Sequence, residues 1–367
     1  MYASMGRTIV TTVALIFACP VLAQSNIAEL IEQTGVREGN VALRDMPGWR
    51  EPKKIVMPDV GLSEQELEVL LPGIEVVVTQ SRSETISHLK GADGVAGSCY
   101  GDLIDAAEDA IWFQVFSAGV DRCVGAKRIA DGSAVLTNMQ KMSSPVIGEH
   151  VIALSLSLAR GIPRFVNEMP TGAWHRGSDI PAGMVSVAGK TMLVIGLGGI
   201  GTEAARRAAA LDMRVIGTRR GSREGPDFVD YVGLSGELYE LAAEADFIVN
   251  ALPLTPETIG LLDAEFFSAA KPGAFLINVG RGPTVVTDDL VAALESGQLA
   301  GAGIDVTDPE PLPADHPLWQ MDNVIITPHV AARDSNRARH LILFKENLKR
   351  FAAGDALLNV VDPKLGY

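Results

Sequence analysis

TMLVIGLGGIG, residues 191–201, is the stretch whose reading decides the fold. A short apolar run ends directly in glycines, and an alanine-rich stretch with helical character, TEAARRAAAL, follows at once. In this order of strand, turn and helix, Gly196, Gly198 and Gly201 take the places that open a dinucleotide-binding unit. The first glycine serves a tight turn, the second close approach of the backbone to a pyrophosphate, and the third packing of helix on strand. The free N–H groups at the helix N-terminus then face the phosphates. The plainer reading is a packing turn with no ligand.

About twenty residues further on, such a unit ends its second strand in an acid that holds the adenosine ribose. Here the sequence is VIGTRR, residues 215–220, with no acid. Gly217 and Thr218 are expected to leave room, and Arg219 and Arg220 to supply charge and forked donors for a 2′-phosphate. The cofactor expected is NADP, with NAD as the alternative. Plain surface charge is the competing explanation of the two arginines.

Outward from this turn the chain alternates. MLVIG, RVIGT, DFIVNAL, AFLINVG, GAGIDV and NVIITP read as six strands of one doubly wound nucleotide domain, residues 146–330. It opens with the long apolar helix PVIGEHVIALSLSLARGI. Before it, KKIVMPDV, IEVVVTQ, GVAGS, IWFQVFSAG and AVLTNM read as strands, and SEQELEVLL and SETISHLKG as helices. Continuous apolar strands separated by helices imply a parallel sheet covered on both faces. The helix RDSNRARHLILFKENLKRFAAG is expected to return to this first domain, residues 51–145 plus 331–367. The predicted fold class is α/β with two domains, a Rossmann-type doubly wound parallel sheet inserted into a flavodoxin-like α/β substrate domain, with a cleft between them.

Composition bounds the partners. The chain of 367 residues is 47% apolar and carries a formal net charge of −14. That balance argues against nucleic acid or an anionic membrane surface, so any anionic ligand must be met by a local cluster of positive charge. Three cysteines, Cys19, Cys99 and Cys123, show neither metal-ligand spacing nor a disulfide framework, and the six histidines form no HExxH-type pair. No metal is expected.

At the N-terminus, Arg7 precedes the uncharged run TIVTTVALIFACPVLA, with Val21 and Ala23 at small-residue cleavage positions. Residues 1–23 read as a secretory signal peptide, and 24–50 as an extension with one short helix, NIAELIEQ. The alternatives are an uncleaved anchor or translation starting near Met46. Export conflicts with a nicotinamide cofactor, which is scarce outside the cytoplasm. Either the segment is not cleaved and the protein faces inward, or the true start lies downstream, or the exported protein binds nucleotide without turnover. A periplasmic or exported location is the leading expectation, a cytoplasmic one the alternative.

Three later segments follow strand ends: INVGRGPT with Arg281, GIDVTDPEPLP with Asp305 and Glu310, and VIITPHVAA with His329. Singly, each reads more readily as a structural ion pair. Together the order GLGGIG, LPLTPET, INVGRG, DVTDPEPLP and ITPH resembles the D-2-hydroxyacid dehydrogenases. SAGVD at 117–121, with TNMQKMSSPVIGEHVIALSLSLARG behind it, is similar too. The resemblance covers residues 53 to 350, and within the family it is nearest the glyoxylate and hydroxypyruvate reductases.

The resemblance implies roles. Arg281 would bind the substrate carboxylate and polarise the carbonyl. His329 would act as general acid and base, and Glu310 would fix its ring and raise its pKa. Asp305 would contact the nicotinamide carboxamide, Gly199 and Ile200 the pyrophosphate, and Val279 and Gly280 the cofactor through their backbone. Ser98, Cys99 and Tyr100, in the loop GSCYG, would line the substrate side, with Cys99 a pocket wall rather than a nucleophile. The substrate would be a small 2-keto or 2-hydroxy acid, and the long helix would form a homodimer contact or else be buried within one subunit. A formate dehydrogenase is disfavoured by Glu310, and a phosphoglycerate dehydrogenase by the missing regulatory domain. The rival from another class is a catalytically silent nucleotide-binding sensor or interaction protein on the same fold.

Overall fold

A computed structural model describes residues 27–172, 174, 183–334 and 337–367, so the expected signal peptide lies outside the described residues. Two parallel sheets carry the chain. The first is built from β1 (Lys54–Pro58), β2 (Glu75–Thr79), β3 (Gly94–Gly97), β4 (Trp112–Val115) and β5 (Val135–Thr137), in the order β2-β1-β3-β4-β5. That is the flavodoxin-like order. The second holds β6 (Thr191–Ile195), β7 (Arg214–Arg219), β8 (Tyr231–Leu234), β9 (Phe247–Asn250), β10 (Ala274–Asn278), β11 (Leu299–Ile304) and β12 (Val324–Ile326). Its order is β12-β11-β10-β9-β6-β7-β8, with the direction of winding reversing between β6 and β9.

The nucleotide sheet thus has seven strands, where the sequence reading counted six. The extra one, β8, holds the third place of the doubly wound order, beside β7. It was missed because YVGL is short, keeps Tyr231 exposed and contains Gly233. That glycine lets the strand approach the helix Leu238–Glu244, since a Cβ there would lie 2.6 Å from Leu241. The inner strands β6, β9 and β10 are buried at every residue, as a sheet with helices on both faces requires.

The helix Ser144–Ala159 crosses from the first sheet to the second. Gly148 allows its close contact with the helix Gly199–Ala209, because a Cβ there would lie 2.9 Å from the backbone of Glu203. The helix Arg337–Ala353 returns to the first sheet. Its Phe344 and Phe351 pack on Trp112, and the Phe351 ring fills the space left by Gly94. Trp112 Nε1 donates to Thr137 Oγ1 at 2.8 Å, and Asn347 Nδ2 donates to Gln114 Oε1 at 3.1 Å, so these buried polar groups are paired.

The extension is part of this domain. After the helix Ile27–Thr34, Leu30, Val36 and Leu43 are buried in the core under Trp112. The Gly39 N–H donates to the Leu357 carbonyl at 2.8 Å. Among the described residues no single helix is long and apolar enough to cross a membrane.

Contrary to the sequence reading, two of the cysteines are bonded: Cys99 and Cys123 form a disulfide. Twenty-four residues separate them in the chain, but β3 and β4 are neighbours and both cysteines lie in segments leaving the carboxyl ends of those strands. Proximity created by sheet order leaves no spacing motif to find. A loop of this length gives about 3 kcal/mol of stabilisation in the chain-entropy model. Reduction, or Cys99→Ser, is therefore expected to lower the urea unfolding midpoint by the equivalent of about 3 kcal/mol. An unchanged midpoint together with two more titratable thiols in the untreated protein would show the bond absent.

Candidate active site

The glycine turn has the geometry its sequence implied. Gly196 has φ +93°, in the region that favours glycine. A Cβ on Gly201 would lie 2.1 Å from the Gly196 carbonyl oxygen, so no other residue lets the helix begin this close to β6. Gly198 has nothing within 4 Å of its Cβ position, which leaves its face open to a ligand. Gly199 is instead pressed on the segment joining the two domains, its Cβ position 2.6 Å from Ser144 Oγ and 3.1 Å from Lys141 Cγ.

At the end of β7 two expectations change. The space at Gly217 belongs to Leu197, 2.6 Å from its Cβ position, and not to a phosphate. Thr218 is buried and braces the turn: its Oγ1 accepts the Gly196 N–H at 3.2 Å, and its carbonyl accepts the Leu197 N–H at 3.0 Å. Arg219 is half-buried, and its Nε is buried with no hydrogen-bond partner; Arg220 is exposed beside it. Both arginines line a cavity of about 530 Å³ with Gly198, Gly199, Ile200 and Val279. Gly280 also lines it, its Cβ position only 2.7 Å from the Leu252 carbonyl, so the chain approaches the cavity there as bare backbone.

Across the switch point a second cleft, of about 860 Å³, brings Arg281, Glu310 and His329 together with the loop Ser98–Tyr100. His329 Nδ1 donates to Glu310 Oε1 at 2.8 Å, which leaves Nε2 as the nitrogen available to a ligand. The backbone of His329 is left-handed, with φ +53°. Such strain persists only where the surroundings impose it, and here they do. The buried Asp305 carboxylate accepts the Thr327 hydroxyl at 2.6 Å and the Val330 and Ala331 N–H groups at 2.9 and 3.0 Å. The resemblance assigned Asp305 to the nicotinamide; the structure turns its carboxylate to the backbone that carries His329, because a buried charge must be satisfied where it lies.

Arg281 sits in a socket that the sequence reading missed. Its Nε donates to Asp121 Oδ1 at 3.0 Å and its Nη1 to the Gly280 carbonyl at 2.7 Å. A Cβ on Gly119 would fall 1.4 Å from Nη2, so the guanidinium occupies space that only a glycine leaves. Gly119 and Asp121 belong to SAGVD, the motif that was quoted for its resemblance and given no task. Behind Arg281, its carbonyl accepts the Thr284 hydroxyl at 2.6 Å, and Thr284 in turn accepts from the buried Asn250 at 2.6 Å. Gly282 brings this loop onto the segment that leads to Glu310, its Cβ position 1.8 Å from the Thr307 carbonyl oxygen.

On the substrate side, Tyr100 lies under the Arg82 guanidinium, 4.2 Å from ring centroid to Cζ, and Arg82 pairs with Asp102. Cys99 forms cleft wall, tied to Cys123. Among the described residues no group of three or more His, Cys, Asp or Glu side chains could hold a metal ion.

Comparison with known proteins gives the same reading. Residues 152–331 match the family model for the D-isomer specific 2-hydroxyacid dehydrogenase, NAD binding domain. The chain is 37% identical over 214 residues to a mouse protein named glyoxylate reductase/hydroxypyruvate reductase, covering 57% of this chain and 64% of that one. It thus spans less than two thirds of that relative's length. It is 32% identical over 324 residues to a glyoxylate reductase of Korarchaeum cryptofilum, covering 84% of this chain and 94% of the relative. Among solved structures, a D-isomer specific 2-hydroxyacid dehydrogenase from Xanthobacter autotrophicus Py2, in complex with NADPH and MES, superposes with a TM-score of 0.72 at 30% identity. That match covers 86% of this chain and all of the other. The order of motifs, the two sheets and these likenesses agree, and the chain belongs to the D-isomer specific 2-hydroxyacid dehydrogenase family.

Proposed function

We propose that this protein is an NADP-preferring reductase of a small 2-keto acid of the glyoxylate or hydroxypyruvate type, forming the D-2-hydroxy acid. The observation that carries this reading is the His329–Glu310 pair on the wall of the cleft that also holds Arg281. The nucleotide fits the residues present: an open face at Gly198, a helix N-terminus beside it, and a buried Arg219 Nε without a partner. The NADPH in the Xanthobacter relative and the name of the mouse relative support it. When bound, the nicotinamide supplies the hydride.

The chain's own residues do the rest. Asp121 and the Gly280 carbonyl hold the Arg281 guanidinium while leaving N–H donors for a carboxylate, which a planar fork binds in two places. His329 donates its Nε2 proton to the carbonyl oxygen, and Glu310 holds Nδ1–H and so fixes the ring with Nε2 toward the cleft. General acid help of this kind contributes roughly 10²–10⁴ in rate. The protein is further proposed to form a homodimer through the face of the helix Ser144–Ala159 that its own core leaves uncovered. Export is proposed as well, supported by the apolar N-terminal run and by a disulfide, a bond that persists in oxidising compartments.

Spectrophotometric assays with NADPH and NADH against glyoxylate and hydroxypyruvate test the central reading. Turnover preferring NADPH, lowered about 10²–10⁴-fold in kcat by His329→Ala, is expected; nucleotide binding without turnover of any 2-keto acid would favour the silent sensor. Gly119→Ala should displace Arg281 and lower kcat/KM by roughly 10²-fold, with the far-UV circular dichroism spectrum retained. Wild-type kinetics in that variant would remove Arg281 from its role. Fractionation and N-terminal sequencing are expected to give a mature chain beginning at Gln24; an intact Met1 in the cytosol would defeat export.

A further inference from the structure

The expected NADP pocket contained only the two arginines at the end of β7, yet the structure gathers more positive charge beside them than those two. A second cavity, of about 1180 Å³, opens on the other side of the glycine turn, between the extension and the nucleotide domain. It shares Gly198, Gly199, Lys141 and Arg219 with the nucleotide cavity, so the two spaces meet there. The extension adds Arg37 to its wall.

We propose that Arg37, carried by the N-terminal extension, completes with Lys141 and Arg219 the binding site for the 2′-phosphate of the nucleotide. The inference rests on the NADP reading above and deepens it.

Three observations support it. First, the cations are placed by structure. Lys141 has a left-handed backbone, φ +73°, its stem lies against Gly199, and its ammonium donates to the Gly35 carbonyl of the extension. Val36 is buried, and the Arg37 carbonyl accepts the Asn359 N–H at 3.0 Å, so the backbone that presents the Arg37 side chain is fixed on both sides.

Second, these charges lack carboxylate partners. Among the described residues none of Arg37, Lys141 and Arg219 has an ion-pair partner. Of the acids on the cavity wall, Glu38 pairs with Arg350 at 2.8 Å and Glu203 with Arg206 and Arg207, while Asp45 and Asp362 are paired with none of the three cations. Burial, and then the Arg37 and Arg219 guanidinium groups, push the Lys141 ammonium below its ordinary value. Lys141 is thus partly buried and repelled by two like charges, and an anion joining it would relieve that repulsion.

Third, Arg219 stands at the end of the second strand of the doubly wound order, where the adenosine ribose is held. An anion shared by Arg219, Lys141 and Arg37 is therefore on the ribose side of the turn, and the 2′-phosphate is the nucleotide group that distinguishes NADP from NAD there.

Binding of NADPH, NADH, 2′,5′-ADP and 5′-AMP to the full chain and to its Arg37→Ala and Arg219→Ala variants is the test, followed by fluorescence and calorimetric titration. Arg37→Ala is expected to weaken NADPH and 2′,5′-ADP about tenfold, to leave NADH and 5′-AMP unchanged, and to flatten the salt dependence of 2′,5′-ADP binding. Arg37→Lys should keep part of the affinity. Arg219→Ala reports on the NADP reading itself. If it abolishes the NADPH preference while Arg37→Ala leaves 2′,5′-ADP binding within twofold of wild type, the role of Arg37 is overturned and the NADP reading survives. Equal weakening of NADPH and NADH by Arg37→Ala would move Arg37 to the pyrophosphate and overturn the proposal. A wild-type protein that binds NADH as tightly as NADPH overturns both.

Discussion

Arg281 donates from Nε to Asp121 across the seam between the two sheets, and the site is organised around that contact. Asp121 comes from the segment after β4 and Arg281 from the loop after β10, so one ion pair joins the carboxyl end of one sheet to the carboxyl end of the other. Both side chains are about a quarter exposed, and a pair so placed adds little to stability. Its importance is positional. Gly119 supplies the volume, the Gly280 carbonyl takes a second donor, and the hydroxyl and amide chain through Thr284 and Asn250 fixes the backbone behind. A long, flexible side chain is thereby confined, and the entropic cost of ordering it is met in folding.

The same division of labour governs His329. Its left-handed backbone would relax if the turn were free, and the turn is not free, because a buried carboxylate accepting hydrogen bonds from Thr327, Val330 and Ala331 is expensive to expose. Asp305 therefore acts on His329 through the backbone and not through its ring. It sets where the imidazole begins, and Glu310 sets which nitrogen faces the cleft. Two acids with similar sequence surroundings, five residues apart, have these different tasks because one lies beneath the turn and the other beside the ring.

The parts of this architecture that were legible in the sequence are those fixed by local chemistry. Glycines 196, 198 and 201 each have one geometric task, and each was assigned from its place between strand and helix; apolar runs revealed the inner strands for the same reason. What escaped depends on neighbours in space. β8 is an edge strand whose Gly233 answers Leu241 on the following helix, Cys99 meets Cys123 because two strands happen to be adjacent, and Gly217 makes room for Leu197 rather than a ligand. Asp121 and Gly119 were in view as a motif but had no role until Arg281 was placed against them. Sheet order, which sequence periodicity does not encode, is the missing quantity in each case.

Charge shows why the extension belongs to the functional description. An acidic protein repels an anionic cofactor at long range, and a Debye length of about 8 Å at physiological salt confines any correction to the immediate neighbourhood of the phosphate. Local cations must then come from whatever segments reach that neighbourhood. The end of β7 provides Arg219 and Arg220, the segment before the crossing helix provides Lys141, and a stretch outside both sheets provides Arg37. Because Leu30, Val36 and Leu43 anchor that stretch in the core of the substrate domain, the backbone that carries Arg37 is tied to the fold, and its charge can serve recognition rather than mere solubility.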